Sequence, residues 1–310
     1  MQLIYQPDIE NILPCVATVG FFDGLHAGHR FLINELKTMA YDQKLKSVVI
    51  TFAVHPRKVL DSTFKPELLT TLEEKLIQLE SMGIDTCIVL DFTLNMAGLS
   101  AYDFLKTILK EKFNVRTLLV GHDHRFGHNR TDGFPEYKKY GESLGMNVVH
   151  CSQYNTDSDK HISSSEIRNA LKNGDIEFSN RLLTYEYSLQ GKVVEGFKVG
   201  RQLGFPTANI KPGDPDKIIP ATGVYAVRVH IGQKRYKGML NIGHRPTLEN
   251  GENISIEVHI LNFDSDIYNQ TLTIDFISRI RDEQKFKGLE ELKLQLIQDK
   301  QVVQELNFDE

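Results

Sequence analysis

Two histidines three residues apart, His26 and His29, bracket Gly28 in the segment Val16-Ala-Thr-Val-Gly-Phe-Phe-Asp-Gly-Leu-His-Ala-Gly-His-Arg30. An apolar run breaks there into a glycine turn, and an amphipathic stretch with Phe31, Leu32, Ile33 and Leu36 follows. Strand, tight turn and helix start present backbone N–H groups and the positive end of a helix to an anion. Imidazoles at that point can reach phosphate oxygens. Alone, the tetrapeptide reads equally well as two histidines at a helix start. The strand before it and the helix after it favour a nucleotide phosphate.

Three further segments carry polar residues at places where ligands bind. Thr51-Phe-Ala-Val-His-Pro56 ends a second apolar run. Gly121-His-Asp-His-Arg-Phe-Gly127 ends another and continues into a glycine-punctuated loop too rich in His and Arg for a core element. Ile162-Ser-Ser-Ser-Glu-Ile-Arg168 sets serines at a helix start with an arginine one turn on. Ser165 and Arg168 share a face, and hydroxyls with free N–H groups there form a phosphate clamp or an ordinary N-cap.

A different chemistry is spelled further on. Gly191-Lys-Val-Val-Glu-Gly196 leads to Gly200-Arg-Gln-Leu-Gly-Phe-Pro-Thr-Ala-Asn209. Glycines 196, 200 and 204 make either a flexible arch over phosphates or a plain set of turns. Lys198 and Arg201 exclude a membrane-helix reading of that spacing, and no P-loop pattern is present. Pro206 holds Phe205 extended. Thr207 and Asn209 alternate around Ala208, so a strand projects both on one face, as hard oxygen ligands for Mg²⁺ or as a polar edge. In Ile254-Ser-Ile-Glu-Val-His-Ile-Leu261 the aliphatic residues face one way, and Glu257 and His259 the other. Glu257 is then a solvent-facing carboxylate or a general base.

The elements that must hold these groups fall into two sets. Nearly continuous apolar runs at Val16–Phe22, Ser47–Phe52, Thr86–Phe92, Thr117–Gly121 and Asn147–Cys151 alternate with helical patterns. Thr71-Leu-Glu-Glu74 is a capping box, and Ser100-Ala-Tyr-Asp103 opens another helix. Runs of this kind are parallel strands covered on both faces, so a doubly wound α/β sheet is expected. In such a sheet ligands sit beyond the carboxyl ends of the strands. From about Tyr187 the chain reads as short antiparallel strands: Tyr187–Val194, Gly223–His230, Tyr236–Ile242, Ile254–Leu261 and Thr271–Ile280. Gly232-Gln233 and Asn250-Gly251 are hairpin turns, a small closed barrel is expected, and a last helix presents Leu289, Leu292, Leu296 and Val303 to it.

Composition and length agree with two globular domains. The chain has 310 residues, 41% hydrophobic and 25% charged, with a net charge of −5. That balance disfavours a nucleic acid partner. Three scattered cysteines, Cys15, Cys87 and Cys151, read as buried thiols in a reducing compartment. No signal peptide and no membrane-length apolar stretch is seen, so a cytoplasmic protein is expected.

Together these residues resemble the bacterial bifunctional riboflavin kinase/FMN adenylyltransferases, also called FAD synthetases. The resemblance rests on Gly20-Phe-Phe-Asp-Gly-Leu-His-Ala-Gly-His29, Thr51-Phe-x-x-His-Pro56, Gly121-x-Asp-x-Arg-Phe-Gly127 and Ile162-Ser-Ser-Ser-x-x-Arg168 in the first half. In the second half it rests on Gly204-Phe-Pro-Thr-Ala-Asn209, Gly223-Val-Tyr225, Asn241-Ile-Gly-x-Arg-Pro-Thr247, Glu257 through Tyr268, and Arg281-x-Glu-x-x-Phe286. It implies a Rossmann-like nucleotidyltransferase domain over 1–183 and a β-barrel riboflavin kinase domain with a C-terminal helix over 184–310. It implies ATP-dependent phosphorylation of riboflavin to FMN, then adenylylation of FMN to FAD with release of pyrophosphate, with Mg²⁺ and no membrane partner.

The resemblance also implies roles. His26 and His29 would act on the transferred phosphates, with Gly20, Phe21, Asp23, Gly24, Asp123, Ser164 and Arg168 around the nucleotide. His55 and Phe126 would line the flavin. In the kinase half Glu257 would be the base, Thr207 and Asn209 the magnesium ligands, Gly196 and Gly204 part of the nucleotide loop, and Arg281 a flavin contact. The chain departs from the family pattern at Val54, His124 and Asn269. Two rival readings are a nucleotidyltransferase acting on pantetheine phosphate or a lipid headgroup, which leaves the second half unexplained, and a flavin- or nucleotide-sensing regulator with an inactive site.

Overall fold

The computed structural model describes residues 1–5, 12–122, 125–128, 131–152, 154, 162–196, 199–244 and 254–308. The chain divides into compact units at Met1–Ser163 and Ser164–Glu310.

In the first unit the elements are β1 (Gln2–Tyr5), β2 (Cys15–Val19), α1 (Ala27–Asp42), β3 (Lys46–Phe52), α2 (Pro56–Leu60), α3 (Leu72–Ser81), β4 (Thr86–Leu90), α4 (Leu94–Ala97), α5 (Ala101–Asp103), β5 (Val115–Val120), α6 (Phe134–Leu144) and β6 (Asn147–His150). The sheet order is β1-β4-β3-β2-β5-β6, with every pairing parallel. The chain leaves β2 on one side for β3 and β4, then returns to its other side for β5. The crevice at the carboxyl ends of β2 and β5 is therefore the topological switch point, where such sheets take ligands. β2 and β4 are buried along their whole length, which is why they read as unbroken apolar runs.

The capping box of α3 forms as expected: Thr71 Oγ1 accepts from the Glu74 N–H, and the Glu74 carboxylate accepts from the Thr71 N–H. Ser100 caps α5, which runs on as a π-helix over Phe104–Lys112. β2 ends at Val19, before the expected Phe22, because Phe22 takes φ 53° and leaves the strand. β1 was not expected. It is a four-residue edge strand with mostly exposed side chains, and its hydrophobic run, Leu3-Ile4-Tyr5, is only three residues long.

In the second unit α7 (Ser164–Lys172) and α8 (Ile176–Leu183) precede β7 (Ser188–Val194), α9 (Val199–Gln202), β8 (Ala208–Pro212), β9 (Gly223–Ile231), β10 (Lys234–His244), β11 (Ile254–Ile260), β12 (Thr271–Arg281) and α10 (Leu289–Glu305). The strands close an antiparallel barrel in the order β10-β11-β8-β7-β12-β9. Gly232, at φ 59°, turns the β9–β10 hairpin. The Asn250-Gly251 turn lies outside the described residues.

The division at 163/164 comes earlier than the expected 183/184. The α7–α8 pair is tied to the barrel: Asn180 Nδ2 donates to the Phe276 carbonyl and its Oδ1 accepts from the Tyr187 N–H, while the Ala221 N–H donates to the Leu171 carbonyl. α10 lies on the barrel through Val303 and Leu296, packed with Phe205, Met239 and Phe308. Leu289, expected on that inner side, is 55% exposed at the first turn of the helix.

Candidate active sites

The His26–His29 turn is built by backbone conformation. Phe22, Gly24 and Leu25 take φ of 53°, 78° and 38°, a left-handed path that costs a non-glycine residue and is kept where surroundings enforce it. The enforcement is visible. The Asp23 carboxylate is buried and accepts from the N–H groups of Leu69 (3.0 Å) and Thr70 (3.1 Å), and the Gly24 N–H donates to Thr70 Oγ1 at 3.0 Å. Gly20 lies under the Phe22 ring, and a Cβ there would stand 2.8 Å from it. His26 then caps α1, and His29 sits one turn in. Their rings stack with centroids 3.7 Å apart and planes 19° from parallel. His29 also meets the edge of Phe22 at 5.3 Å. Both imidazoles are thus held at the N-terminus of a sixteen-residue helix, where its dipole favours an anion.

Beside this turn opens a cavity of about 860 Å³, lined largely by apolar groups such as Phe21, Phe52, Phe92, Leu99 and Phe126 and rimmed by His55, Arg57, Arg125 and His128. The Phe21 ring meets the edge of His55 at 4.7 Å. His55 caps α2, its Nδ1 accepting from the Arg57 N–H at 3.1 Å. Phe126 stacks on the fully buried Tyr137, with centroids 4.1 Å apart, and its N–H donates to the Tyr137 hydroxyl at 2.9 Å. Gly127 allows this loop to close on α5: at φ 89°, a Cβ there would come within 2.7 Å of the Ala101 nitrogen. A flat apolar slot with a cationic rim suits an aromatic ring system carrying a phosphate.

Two groups that hold this site escaped the sequence reading. Tyr137 and Lys75 both lie on helices, where nothing in their spacing separates them from ordinary positions. Lys75 is 2% exposed, and its Nζ donates to the Phe21 carbonyl at 2.8 Å. Of the expected residues, Asp123 lies outside the described ones, as do His124, Lys198 and 245–247. Ser164 and Arg168 begin α7, both half-buried, in the second unit. Val54, a departure from the family pattern, is 46% exposed.

The barrel carries two cavities with a shared border. One, about 440 Å³, is lined by Val193, Arg201, Pro206, Thr207, Phe263 and Tyr268 among others. The second, about 300 Å³, is lined by Thr207, Asn241, Glu257, His259, Arg281 and Phe286 with Leu292 and Leu296 of α10. Thr207 belongs to both, and its hydroxyl donates to Glu257 Oε2 at 3.2 Å. Glu257 is also the register partner of Asn209 across β11 and β8. The Thr207 hydroxyl and the Glu257 carboxylate therefore meet at the border, while Asn209 pairs in register with Glu257 and turns its side chain toward Gly196.

The Glu257–His259 face of β11 is not the solvent face the alternation allowed. His259 is 8% exposed, and its Nδ1 lies 2.8 Å from the Pro206 carbonyl. Burial holds its pKa below the ordinary value, against the pull of the Pro206 carbonyl. The glycines ahead of β8 serve close approach. The Asn209 side chain occupies the place a Cβ on Gly196 would need, the Phe205 carbonyl does so at Gly200, and Gly204 takes φ 85°. Asn269 takes φ 65°, a conformation Asn tolerates, so the turn that commonly uses Gly survives. Arg281 is clasped by Asp299 of α10, Nε to Oδ1 at 3.0 Å and Nη2 to Oδ2 at 2.8 Å.

Among the described residues no group of three or more His, Cys, Asp or Glu side chains could hold a metal ion. The oxygens of Thr207 and Asn209 are a different kind of donor set, hard and neutral, and they fit a magnesium ion that keeps most of its ligands from water and phosphate.

Comparison with known proteins bears on both units. The FAD synthetase family matches residues 8–166, and the riboflavin kinase family matches residues 183–307. The bifunctional riboflavin kinase/FMN adenylyltransferase of Bacillus subtilis is 37% identical over 92% of this chain and 90% of its own length. The protein of that name from Escherichia coli K12 is 35% identical over 94% of this chain and 92% of its own. A crystal structure from Streptococcus pneumoniae, described as a macrolide-efflux protein, matches with a TM-score of 0.90 at 30% identity over 99% of this chain and 100% of that one. No helix among the described residues is long and apolar enough to cross a membrane.

Proposed function

The chain belongs to the bifunctional riboflavin kinase/FMN adenylyltransferase family, and from that premise we propose which of its residues run each reaction. The enzyme phosphorylates riboflavin to FMN with ATP, then joins FMN to the AMP moiety of a second ATP, giving FAD and pyrophosphate.

For the first reaction we assign Glu257 as the base that takes the proton of the riboflavin 5′-hydroxyl. A primary alcohol is a poor nucleophile at neutral pH, and a carboxylate at the attacking oxygen supplies about 10²- to 10⁴-fold. The smaller barrel cavity, with Glu257 and Arg281 in its wall, takes riboflavin; the larger, lined by Arg201 and Pro206, takes ATP, with Gly196 and Gly204 assigned to the nucleotide loop. The carrying observation is the Thr207–Glu257 contact, since Thr207 is common to the two cavities. The hydroxyl of Thr207 and the amide oxygen of Asn209 would hold Mg²⁺, which when bound would neutralise phosphate charge. In this reading the nucleophile, its base and the phosphate side of ATP converge on one border.

For the second reaction we assign His26 and His29 to the α-phosphate and the leaving pyrophosphate. Attack by the FMN phosphate brings two anions together, and positioning with charge stabilisation supplies most of the acceleration in such transfers. Gly20, Asp23 and Gly24 shape the turn. We assign Phe21, His55 and Phe126 to the flavin ring, Asp123 to the nucleotide, and Ser164 and Arg168 to the outer phosphates. We count α7 and α8 with the adenylyl-transfer portion, 1–183, because α7 carries Ser164 and Arg168, although the pair packs on the barrel of the kinase portion, 184–310. The three buried thiols, none in a disulfide, suit a reducing compartment, and we place the enzyme in the cytoplasm.

One assay tests the assignment as a whole. Protein, riboflavin and ATP are mixed with and without Mg²⁺, and flavins are resolved by chromatography. FMN followed by FAD is expected with Mg²⁺. FMN formation that is indifferent to chelation would remove Thr207 and Asn209 as metal ligands.

A further inference from the structure

Lys75 stands on α3 with 2% of its surface exposed, although lysine is almost never fully buried without a partner. Its partners are carbonyls at the ends of two neighbouring strands. Nζ donates to Phe21 O, just beyond β2, at 2.8 Å, and lies 3.4 Å from Phe52 O, the last residue of β3. It also lies 4.2 Å from the centroid of the Phe21 ring. Thr51 Oγ1 donates to the same Phe21 carbonyl at 3.2 Å. The Phe21 peptide thus has two donors fixed by the neighbouring elements.

That peptide stands at a junction. Its backbone runs into the left-handed residues Phe22, Gly24 and Leu25 and so into His26. Its ring forms the cavity wall with His55. The titratable groups facing Lys75 are Asp23 from the turn and Cys87 from β4. Asp23 is itself bonded to the N–H groups of Leu69 and Thr70. Cys87 stays a thiol, because burial pushes it up to about 12.

We propose that Lys75 is a positioning residue for adenylyl transfer: its ammonium fixes the Phe21 peptide, and through it both the His26–His29 turn and the Phe21–His55 wall of the flavin cavity. The inference rests on the reading that this cavity takes FMN. An ammonium offers three donors and no acceptor; a neutral amine keeps two donors but loses the charge that strengthens both contacts. Burial pushes the ammonium down to about 8, opposed by the Asp23 carboxylate. The grip therefore loosens as the medium rises through that range. The groups assigned to riboflavin phosphorylation all belong to the second unit and none is a partner of Lys75, so the same molecules carry their own control.

The experiment measures both reactions of the full chain from pH 6.5 to 9.5, for wild type, Lys75→Met and Lys75→Arg. Wild-type kcat/KM for adenylyl transfer is expected to fall on an alkaline limb near pH 8 that riboflavin phosphorylation lacks. Lys75→Met is expected to lose on the order of tenfold in kcat/KM for FMN at pH 7 and to lose the limb, with phosphorylation unchanged. Lys75→Arg, whose charge does not titrate, is expected to keep more activity than Lys75→Met and to lose the limb. A wild-type adenylyl-transfer profile that is flat through pH 8, or Lys75→Met kinetics equal to wild type, would overturn the proposal. The first of these needs no variant, so a Lys75→Met protein that fails to fold leaves the decision intact. Phe126→Ala separates the underlying reading: an unchanged KM for FMN in that variant refutes the flavin cavity itself. A raised KM for FMN beside wild-type Lys75→Met kinetics refutes Lys75 alone.

Discussion

The Thr207 hydroxyl donates to Glu257 Oε2 across 3.2 Å, joining the residue just before β8 to the middle of β11 at the border of two cavities. The two are fifty positions apart in sequence, and the antiparallel register of Glu257 with Asn209 brings them together. The contact orients the carboxylate by its Oε2 edge and leaves Oε1 to face another group. In the proposed roles, a base and a metal ligand in contact would give the kinase reaction a single assembled centre.

Glu257→Gln keeps the size of the side chain and removes its ability to accept a proton. FMN formation from riboflavin should fall by about 10²- to 10⁴-fold. Conversion of supplied FMN to FAD should proceed at the wild-type rate. Chromatography of reactions started from riboflavin and, separately, from FMN reads both numbers from one preparation. Loss of both reactions in a folded protein would contradict the two-site assignment.

His29→Ala should give the opposite pattern. The ring stacks on His26 at 3.7 Å, so its removal takes away one proposed phosphate contact and the support of the other. FAD formation should fall on the order of 10²-fold or more, and FMN should accumulate from riboflavin. An FAD yield within a few-fold of wild type would remove His29 from the transfer step.

Asp299 is 1% exposed in the middle of α10 and makes a two-pronged contact with Arg281, with Gln295 Nε2 also donating to its Oδ1 at 2.9 Å. Breaking a buried pair by removing one partner costs about 3–5 kcal/mol. Asp299→Asn keeps the shape and some of the hydrogen bonding, so a lower thermal midpoint for the barrel is expected rather than unfolding. Arg281 would also lose its aim into the riboflavin cavity. KM for riboflavin should rise by about tenfold, with kcat less affected and the FMN-to-FAD rate unchanged. Equal falls in both reactions would mean that the pair serves stability alone.

How much of this was legible in the sequence follows from what each element buries. β2, β3 and β4 are covered on both faces, so their composition alone announces them, and the switch point follows from their order. β1 escapes because Leu3-Ile4-Tyr5 is too short a run to stand out, and its side chains are mostly exposed. The His26–His29 turn and the Thr207–Asn209 pair are local in sequence, and spacing finds them. Lys75, Tyr137 and Asp299 are not local. Each is a polar side chain on a helix, normally solvent-facing, and only tertiary packing turns it inward. The Glu257–His259 face of β11 misled for the same reason, since alternation reports two faces without saying that α10 and the Phe205–Thr207 segment cover the polar one.

Asp85 offers a test of the sheet's amino-terminal edge by pH. Burial works to raise its pKa, but bonds from Lys46 Nζ at 2.7 Å and from the Ser47 N–H and hydroxyl outweigh burial and bring it from 3.8 down to about 2. A carboxyl whose folded pKa lies below its unfolded one binds fewer protons when folded. Its stabilisation is therefore complete above about pH 4 and disappears as the pH falls through about 2. The side chain is 37% exposed, so solvent screening reduces the contribution to about 1 kcal/mol. Asp85→Asn should lower the urea midpoint of the first unit at pH 6, and the gap to wild type should narrow steadily as the pH is taken from 4 toward 2. The kinase unit's transition should not register the substitution. A gap that stays constant down to pH 2 would mean that the bonds to Ser47 stabilise through geometry, with no part played by the charge.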